Sequence, residues 1–441
     1  MPQEYIALLM FGTMMLLLFT GQRVFGAIGA VAAIGAVALF GTGGADIPFS
    51  AAMKLMKWYP LLTLPMFIFM GYILSESRIA DDLYRMFHVW FGPVRGGLAI
   101  GTILLMVLIS AMNGLSVAGM AIGATIALPE LLKRGYDKRM VTGVIQAGSS
   151  LGILVPPSVV LVLYAMIARQ PVGQLWLAGI LPGLMMAGMF IAYIVIRCRL
   201  NPALGPAIPA EELAQITRAE KFRLLRAGAL PLFIFAAMMV PFVNGWTSLV
   251  EASAIGAMTA FAAAVLKGRM TAEVFENSVR NTLAISCMFL WIILAALGFG
   301  AIFDGLGAVN TIDALFTDQM HLSPWTILIL MQLSFIIMGT FLDDTAMLVI
   351  VAPLYIPLVD ALGFNLIWYG ILYTITTQIA YMTPPFGYNL FLMRAMAPDT
   401  VSLSDIYRSI VPFVGIMVVA LAIIMAFPGI ALWLPGYVYG N

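Results

Sequence analysis

The chain has 441 residues, 62% of them hydrophobic and 10% charged, with a net charge of +1. A soluble domain carries about 25% charged residues, so this composition excludes an ordinary water-soluble enzyme or binding module. The near-neutral charge gives no support to a general attraction for nucleic acid. The apolar residues fall in runs near the length of about 20 residues that crosses a bilayer.

Taken in chain order, Pro2-Gln3-Glu4 carries no basic residue, so the first apolar run, Tyr5 to Phe19, is expected to be a retained span and not a cleaved leader. Spans are predicted near 4–20, 24–41 and 59–76. The charged stretch with Arg78, Asp81, Asp82, Arg85 and His88 reads as a helix lying on the membrane surface. An apolar stretch at 97–132 is interrupted by Ser110-Ala111-Met112-Asn113-Gly114-Leu115-Ser116. The next, at 139–168, is interrupted by Gly148-Ser149-Ser150-Leu151-Gly152 and Pro156-Pro157-Ser158, and a clean span covers 173–196. Residues 197–226 are Pro-rich and then basic, with Arg197, Arg199, Arg218, Lys221, Arg223 and Arg226; they read as a cytoplasmic linker. The second half repeats the plan: spans near 227–243, 247–266 and 281–300, a surface segment at 303–320, interrupted stretches at 324–359 and 366–396, and a final span at 409–430. The organisation is therefore a first repeat at 1–196, the linker, and a second repeat at 227–441.

Arithmetic supports the repeat. Adding 228 to a position carries Pro129 onto Pro357, Gly135 onto Gly363, and Pro156-Pro157 onto Pro384-Pro385. Pro and Gly set backbone shape, so their coincidence carries the most weight. Charge suggests that the halves face opposite ways. Lys133-Arg134-Gly135-Tyr136-Asp137-Lys138-Arg139 is basic, whereas its partner Asp360-Ala361-Leu362-Gly363-Phe364-Asn365 is not. The segment 78–95 has three arginines, and 303–320 has acids and neither Lys nor Arg. Basic loops face the cytoplasm. Five crossings per half, with 97–132 and 324–359 as re-entrant hairpins, place both chain ends outside. Lys54, Lys57 and Arg169 fall on the wrong side. The expected fold is an all-α polytopic membrane protein of two inverted-topology repeats, each with a re-entrant hairpin and a discontinuous transmembrane helix: about ten spans and two hairpins.

The breaks are where chemistry is expected. Non-helical backbone at membrane depth is tolerated only where protein or a wet cavity satisfies it. Carbonyl ends of half-helices suit a small cation and amide ends suit an anion, so four breaks meeting at the midplane make a cation-coupled anion site. The substrate-facing candidates are Asn113, Gly114, Ser116, Ser149, Ser150, Pro156, Pro157, Ser158, Thr383, Pro384, Pro385 and Asn389. The candidates for holding sodium are Ser110, Asn113, Gly148, Gly339, Thr340, Asp343, Asp344, Thr376 and Thr377, whose hydroxyl, carbonyl and carboxylate oxygens suit a hard cation. The plainer reading of the small residues is helix capping and close packing. Adjacent acids in an apolar hairpin point to function, although one can cap the helix while the other faces a cation.

Enzymatic alternatives lack their residues. His88 and His321 lie in opposite halves, there is no HExxH, and there is no P-loop. Cys198 and Cys287 suggest no disulfide framework, and no tightly bound cofactor is expected. Trp58, Tyr59, Trp246, Trp325, Trp368, Trp433 and Tyr437 read as anchors near span ends.

At the breaks the sequence resembles the large membrane subunit (DctM type) of tripartite ATP-independent periplasmic (TRAP) transporters. The resembling residues are Asn113-Gly114-Leu115-Ser116-Val117-Ala118, Pro129 with Lys133-Arg134-Gly135-Tyr136, and Leu151-Gly152-Ile153-Leu154-Val155-Pro156-Pro157-Ser158. They continue in Ala178-Gly179-Ile180-Leu181-Pro182-Gly183, Gly339-Thr340-Phe341-Leu342-Asp343 and Met382-Thr383-Pro384-Pro385-Phe386-Gly387. At the first tip this chain has Asn113-Gly114-Leu115 where many relatives have a Ser/Gly-rich sequence. The resemblance implies a sodium-driven importer of organic acid anions in the bacterial inner membrane, working by an elevator motion. It also implies two partners, a separate four-span membrane subunit (DctQ type) and a periplasmic binding protein (DctP type), within a lipid bilayer. The competing readings are a self-sufficient ion-coupled anion transporter and, from another class, an intramembrane enzyme.

Overall fold

A bilayer offers the backbone no hydrogen-bond partners, so apolar runs must satisfy themselves as helices. A computed structural model of the chain describes residues 3–20, 22–114, 116–209, 217–306, 322–340, 344–384 and 387–440, and among them every regular element is helical. The first half contains α1 (Gln3–Phe19), α2 (Val24–Phe40), α3 (Asp46–Met56), α4 (Thr63–Glu76), α5 (Ile79–Phe91) and α6 (Gly97–Asn113). It continues with α7 (Ser116–Ile122), which runs through a wider turn at Gly123–Ala127 into α8 (Leu128–Lys133), then α9 (Lys138–Ser150), α10 (Val159–Ile167) and α11 (Val172–Leu200). The second half contains α12 (Arg218–Val243), α13 (Leu249–Leu266), α14 (Ala272–Gly305), α15 (Pro324–Gly339) and α16 (Asp344–Ala361). It closes with α17 (Leu366–Tyr381), α18 (Tyr388–Met396), α19 (Leu403–Ala426) and α20 (Gly429–Tyr439).

Seven stretches among the described residues are long and apolar enough to cross a membrane: Val24–Met56, Tyr59–Glu76, Val172–Leu200, Lys221–Val243, Leu249–Leu266, Ala272–Ile302 and Leu403–Ala426. The shorter apolar helices Leu9–Leu18, Gly97–Ile109 and Pro324–Gly339 coincide with parts of other runs expected from sequence. The runs at 139–168 and 366–396 fall short because each is split into two helices, α9 and α10, and α17 and α18. Three features differ from the sequence reading. Helix α3 was not expected; Pro48 lies in its first turn, where a missing N–H costs little. The final apolar run divides at Phe427-Pro428 into α19 and α20. The ends of the 197–226 linker are helical, because α11 reaches Leu200 and α12 starts at Arg218. The surface segment expected at 303–320 lies largely outside the described residues.

Helices in lipid are held together by close packing and hydrogen bonds more than by the hydrophobic effect. The buried stripe of α13 is accordingly small: Ala252, Ser253, Gly256, Ala257, Ala260, Ala263 and Ala264. It packs on α4 and α12. Helix α2 buries a similar stripe, Ala27, Ile28, Val31, Ala32, Gly35 and Ala36, and packs on α14 and α1. The pairings elsewhere alternate between halves in the same way. Helix α9 packs on α6 and α19, and α17 packs on α15 and α11; α10 meets α16, and α18 meets α7. Large apolar side chains such as Leu16, Ile34, Phe233, Met258 and Val418 are exposed, as lipid-facing positions require.

Helix α5, where a surface helix was expected, buries one apolar face. Ile79, Leu83, Tyr84, Met86 and Phe87 are buried, while Arg85 is exposed. Asp82 accepts from Lys267 Nζ at 2.7 Å and from Arg269 at 3.1 Å, clasping α5 to the end of α13. Burial pushes the Asp82 carboxyl up, but the two cations outweigh it and hold the group below its ordinary range. The described linker residues lie along the same face: Gly96 N donates to Gly205 O, Asp137 N to Leu204 O and Ile208 N to Gly92 O. Burial raises the nearby Tyr136 hydroxyl to about 12, and that hydroxyl accepts from Leu98 N. Trp368, expected as an interface anchor, is buried instead, with its indole N–H on Ile424 O at 2.9 Å. Trp246, Trp433 and Tyr437 are exposed, in keeping with an anchoring role.

Candidate functional site

The first break is built by Gly114 and the double proline. Gly114 has φ +65°, a left-handed conformation that ends the helical path of α6 before α7 begins. Its carbonyl accepts from Val159 N at 3.3 Å, and a Cβ added there would lie 2.5 Å from Pro157 O. The turn before α7 is thus pressed against the start of α10. Pro156-Pro157 is a cis peptide, and the non-helical stretch through Ser158 is fully buried. Ser158 caps α10: its hydroxyl accepts from Leu161 N at 3.2 Å and donates to Ile153 O. Trp176 of α11 holds the same stretch by donating to Ser158 O.

The second half closes onto this point. Ser116, first residue of α7, donates from its hydroxyl to Asn389 Oδ1 of α18 at 3.3 Å. The amino ends of α7, α10 and α18 therefore meet through two hydrogen bonds, Gly114 to Val159 and Ser116 to Asn389. Amide ends carry partial positive charge. Asn389 is fully buried, and its amide Nδ2 has no partner among the described residues. Gln378 of α17 donates to Ser150 O at 2.9 Å, while its Oε1 has no partner among the described residues. Ser150 and Gln378 are 228 residues apart, the offset that relates the two double-proline motifs.

The other sequence candidates distribute as follows. Ser149 and Ser150 turn their hydroxyls back to Gln146 O and Ala147 O, at 2.9 and 2.8 Å, so both are used within α9. Thr340 bonds Ile337 O, Thr377 bonds Tyr373 O and Thr383 bonds Ile379 O. These hydroxyls follow the plainer capping and packing reading, although each oxygen keeps acceptor capacity. Thr376 instead donates to Gln332 Oε1 of α15, joining α15 to α17. Gly148 packs on Met106 and Gly339 on Ala380. Pro384 is exposed. Asp343 and Pro385 lie outside the described residues, as do the side chains of Ser110, Asn113 and Asp344. Among the described residues no cluster of three His, Cys, Asp or Glu side chains is present.

Two buried amides escaped the sequence reading. Gln146 is fully buried, donates to Thr142 O and Ser409 Oγ, and leaves Oε1 without a partner among the described residues. Gln332 accepts from Thr376, and its Nε2 has no partner among the described residues. Each is a polar residue within an apolar run, the signal that could have marked it.

Helices that stop and restart inside an apolar bundle, with their ends brought together from both halves, define a polytopic membrane protein of transporter type. The comparisons agree. The family model described as "Tripartite ATP-independent periplasmic transporter, DctM component" matches residues 11–430, and the chain belongs to that family. A relative from Pseudomonas aeruginosa, the C4-dicarboxylate TRAP transporter large permease protein DctM, is 29% identical over 88% of this chain and 90% of its own. The ectoine TRAP transporter large permease protein TeaC of Halomonas elongata is 28% identical over 97% and 98%. Among solved structures, the YdaH transporter of Alcanivorax borkumensis shares the fold with a TM-score of 0.63 at 15% identity, covering 97% of this chain and 98% of that one.

Proposed function

We propose that the chain is the large permease subunit of a sodium-coupled, binding-protein-dependent importer of an organic acid anion. The observation that carries this reading is the meeting of three helix amino ends, α7, α10 and α18, around the fully buried Asn389. These ends and the Asn389 amide are the positive groups available to a carboxylate. The carbonyl ends of α9 and α17, near Ser150 and Gln378, offer oxygens to sodium. The dicarboxylate named for the Pseudomonas relative fits an anionic substrate; the ectoine named for the Halomonas relative means that family membership alone does not choose the molecule.

Each half is read as one copy of an inverted-topology repeat, with α6–α8 and α15–α16 as re-entrant hairpins. The reciprocal pairings, α9 on α19 with α17 on α11 and α10 on α16 with α18 on α7, support a twofold relation. A contact between Ser150 and its offset mate Gln378 is what a residue at such an axis would make. The hairpins and broken helices would move as one body against a scaffold that includes the small-residue packing of α2, α4, α13 and α14, an elevator motion. A small four-span subunit and a periplasmic binding protein complete the assembly in the bacterial inner membrane.

Linker residues Leu204 and Gly205 bond Asp137 and Gly96, Lys138 donates to Thr400 O and Arg394 to Val401 O; the basic residues at these loops support a cytoplasmic assignment for that face and periplasmic chain ends. Cysteines introduced as Lys133→Cys and Asp360→Cys, with Cys198 and Cys287 replaced, should react oppositely with an impermeant thiol reagent in whole cells. Protection at 133 and labelling at 360 is expected. Labelling of both from one side removes the inversion.

The functional test is uptake into proteoliposomes of purified permease with its two candidate partners, each present or omitted, and with an inward sodium gradient. Uptake should require the gradient and both partners. Uptake by the permease alone at the full rate would favour the self-sufficient transporter, and uptake indifferent to sodium would remove the coupling.

A further inference from the structure

A second charged site lies away from the helix breaks. A cavity of about 490 Å³ opens between the start of α9, the end of α11 and the first turns of α19. Each of these helices contributes one guanidinium: Arg139, Arg197 and Arg408. The carboxylates facing them are already engaged. Asp137 caps α9, accepting from Arg139 N and Met140 N at 3.1 and 3.0 Å. Asp405 pairs with Arg139 at 3.2 Å. Arg197 lies against the Tyr193 hydroxyl. Arg408 makes no hydrogen bond or ion pair with any described residue. Three cations against two carboxylates leave one positive charge at the cavity, and the exposed Arg408 and Arg197 have no carboxylate partner among the described residues.

The floor of the cavity is apolar and firmly built. Phe413 packs edge-on against Phe190 and Tyr193, with ring centroids 5.5 and 5.2 Å apart. On α19, Val411 at the cavity and Val418 seven residues further are both exposed and share a helix face. Ile196 on α11 is exposed as well. The cavity thus has a basic mouth among polar loop residues and an apolar track leading about 10 Å along α19. A soluble anion would use only the mouth.

We propose that this cavity binds the phosphate of an anionic phospholipid, with Arg197 and Arg408 holding the phosphate oxygens and an acyl chain lying along Val411 and Val418. Guanidinium groups match phosphate geometry through paired N–H donors. Basic pockets between helices at a bilayer boundary are suited to lipid headgroups. The track selects a lipid over free phosphate.

The test uses the full chain, delipidated in detergent, as wild type, as the double variant Arg197→Gln/Arg408→Gln, and as the control Arg280→Gln, which removes an exposed arginine on α14. Binding is followed by native mass spectrometry and by the shift in melting temperature. The probes are phosphatidylglycerol, phosphatidylcholine and glycerol phosphate. Both target arginines are exposed, so the variant should melt as the wild type does without lipid. Wild type and control should retain phosphatidylglycerol in preference to the other two, and the double variant should bind it at least tenfold more weakly. Equal retention by the double variant, or an equal loss in the control, overturns the site. Glycerol phosphate bound as well as phosphatidylglycerol overturns the lipid and leaves a soluble-anion site.

Discussion

Replacing Gly114 with alanine is expected to lower transport by about 30-fold to 4,000-fold while leaving a folded, membrane-inserted protein. Two costs combine. An L-residue held at φ +65° loses about 1–2 kcal/mol. The new Cβ would also lie 2.5 Å from Pro157 O, a backbone atom that cannot turn aside. Forcing a methyl group into a packed site costs about 1–3 kcal/mol. The sum is about 2–5 kcal/mol, and each 1.4 kcal/mol is a factor of ten. The strain falls on the contact joining the turn before α7 to the start of α10, so relief requires those helix ends to part. Transport needs the ends placed together, whereas the long helices around them keep their own packing. Sodium-driven uptake should therefore collapse while the melting temperature in detergent shifts modestly. Gly135, also at positive φ but with open space around it, is the control: Gly135→Ala bears only the conformational cost. If Gly114→Ala transports like the wild type, the contact between the break and the double proline has no part in the site.

Much of this arrangement was legible because glycine and proline announce backbone shape directly. Asn113-Gly114 and Pro156-Pro157 interrupt apolar runs that would otherwise continue as helix, and the structure ends α6 and begins α10 beside them. The 228-residue offset was readable for the same reason, and it reappears in the Ser150–Gln378 hydrogen bond. Partners were not legible. Ser149 and Ser116 look alike in sequence, yet one hydroxyl returns to its own helix and the other reaches the opposite half, because rotation about the helix axis decides the difference. Gln146 and Gln332 were passed over because a single amide does not disturb an apolar run. Helix α3 was missed for the converse reason: Pro48 reads as a breaker unless the helix start is known. The sodium ligands at Asp343 and Asp344 stay an expectation from the cost of placing two acids in an apolar hairpin.

Changing Asn389 should weaken substrate binding in a graded way that separates a substrate contact from a packing residue. The side chain is fully buried, its Oδ1 is held by the Ser116 hydroxyl, and its Nδ2 has no partner among the described residues. An unsatisfied buried amide costs about 1–3 kcal/mol, so a ligand supplying an acceptor recovers that amount on binding. Asn389→Ala removes the donor and is expected to raise the substrate Kd about 5-fold to 150-fold. Asn389→Asp keeps the size and places a carboxylate where the substrate anion is to sit, so its loss should exceed that of alanine. Asn389→Leu, which keeps the branching at Cγ with no polar atom, should fold as the wild type does and should bind no better than alanine. The order for binding is then Asn, Ala, Asp. Purely structural asparagine would give a different pattern, with stability rather than affinity following the substitutions. The measurement is calorimetric titration of substrate into purified protein, with and without sodium. Sodium and a bound anion each offset the other's desolvation, so sodium should tighten substrate binding, and substrate should tighten sodium binding by the same factor. In Asn389→Asp the introduced carboxylate partly replaces the anion as a counter-charge, so that factor should shrink. An Asn389→Asp protein that binds the anion as tightly as the wild type would remove the α18 amino end from the substrate site.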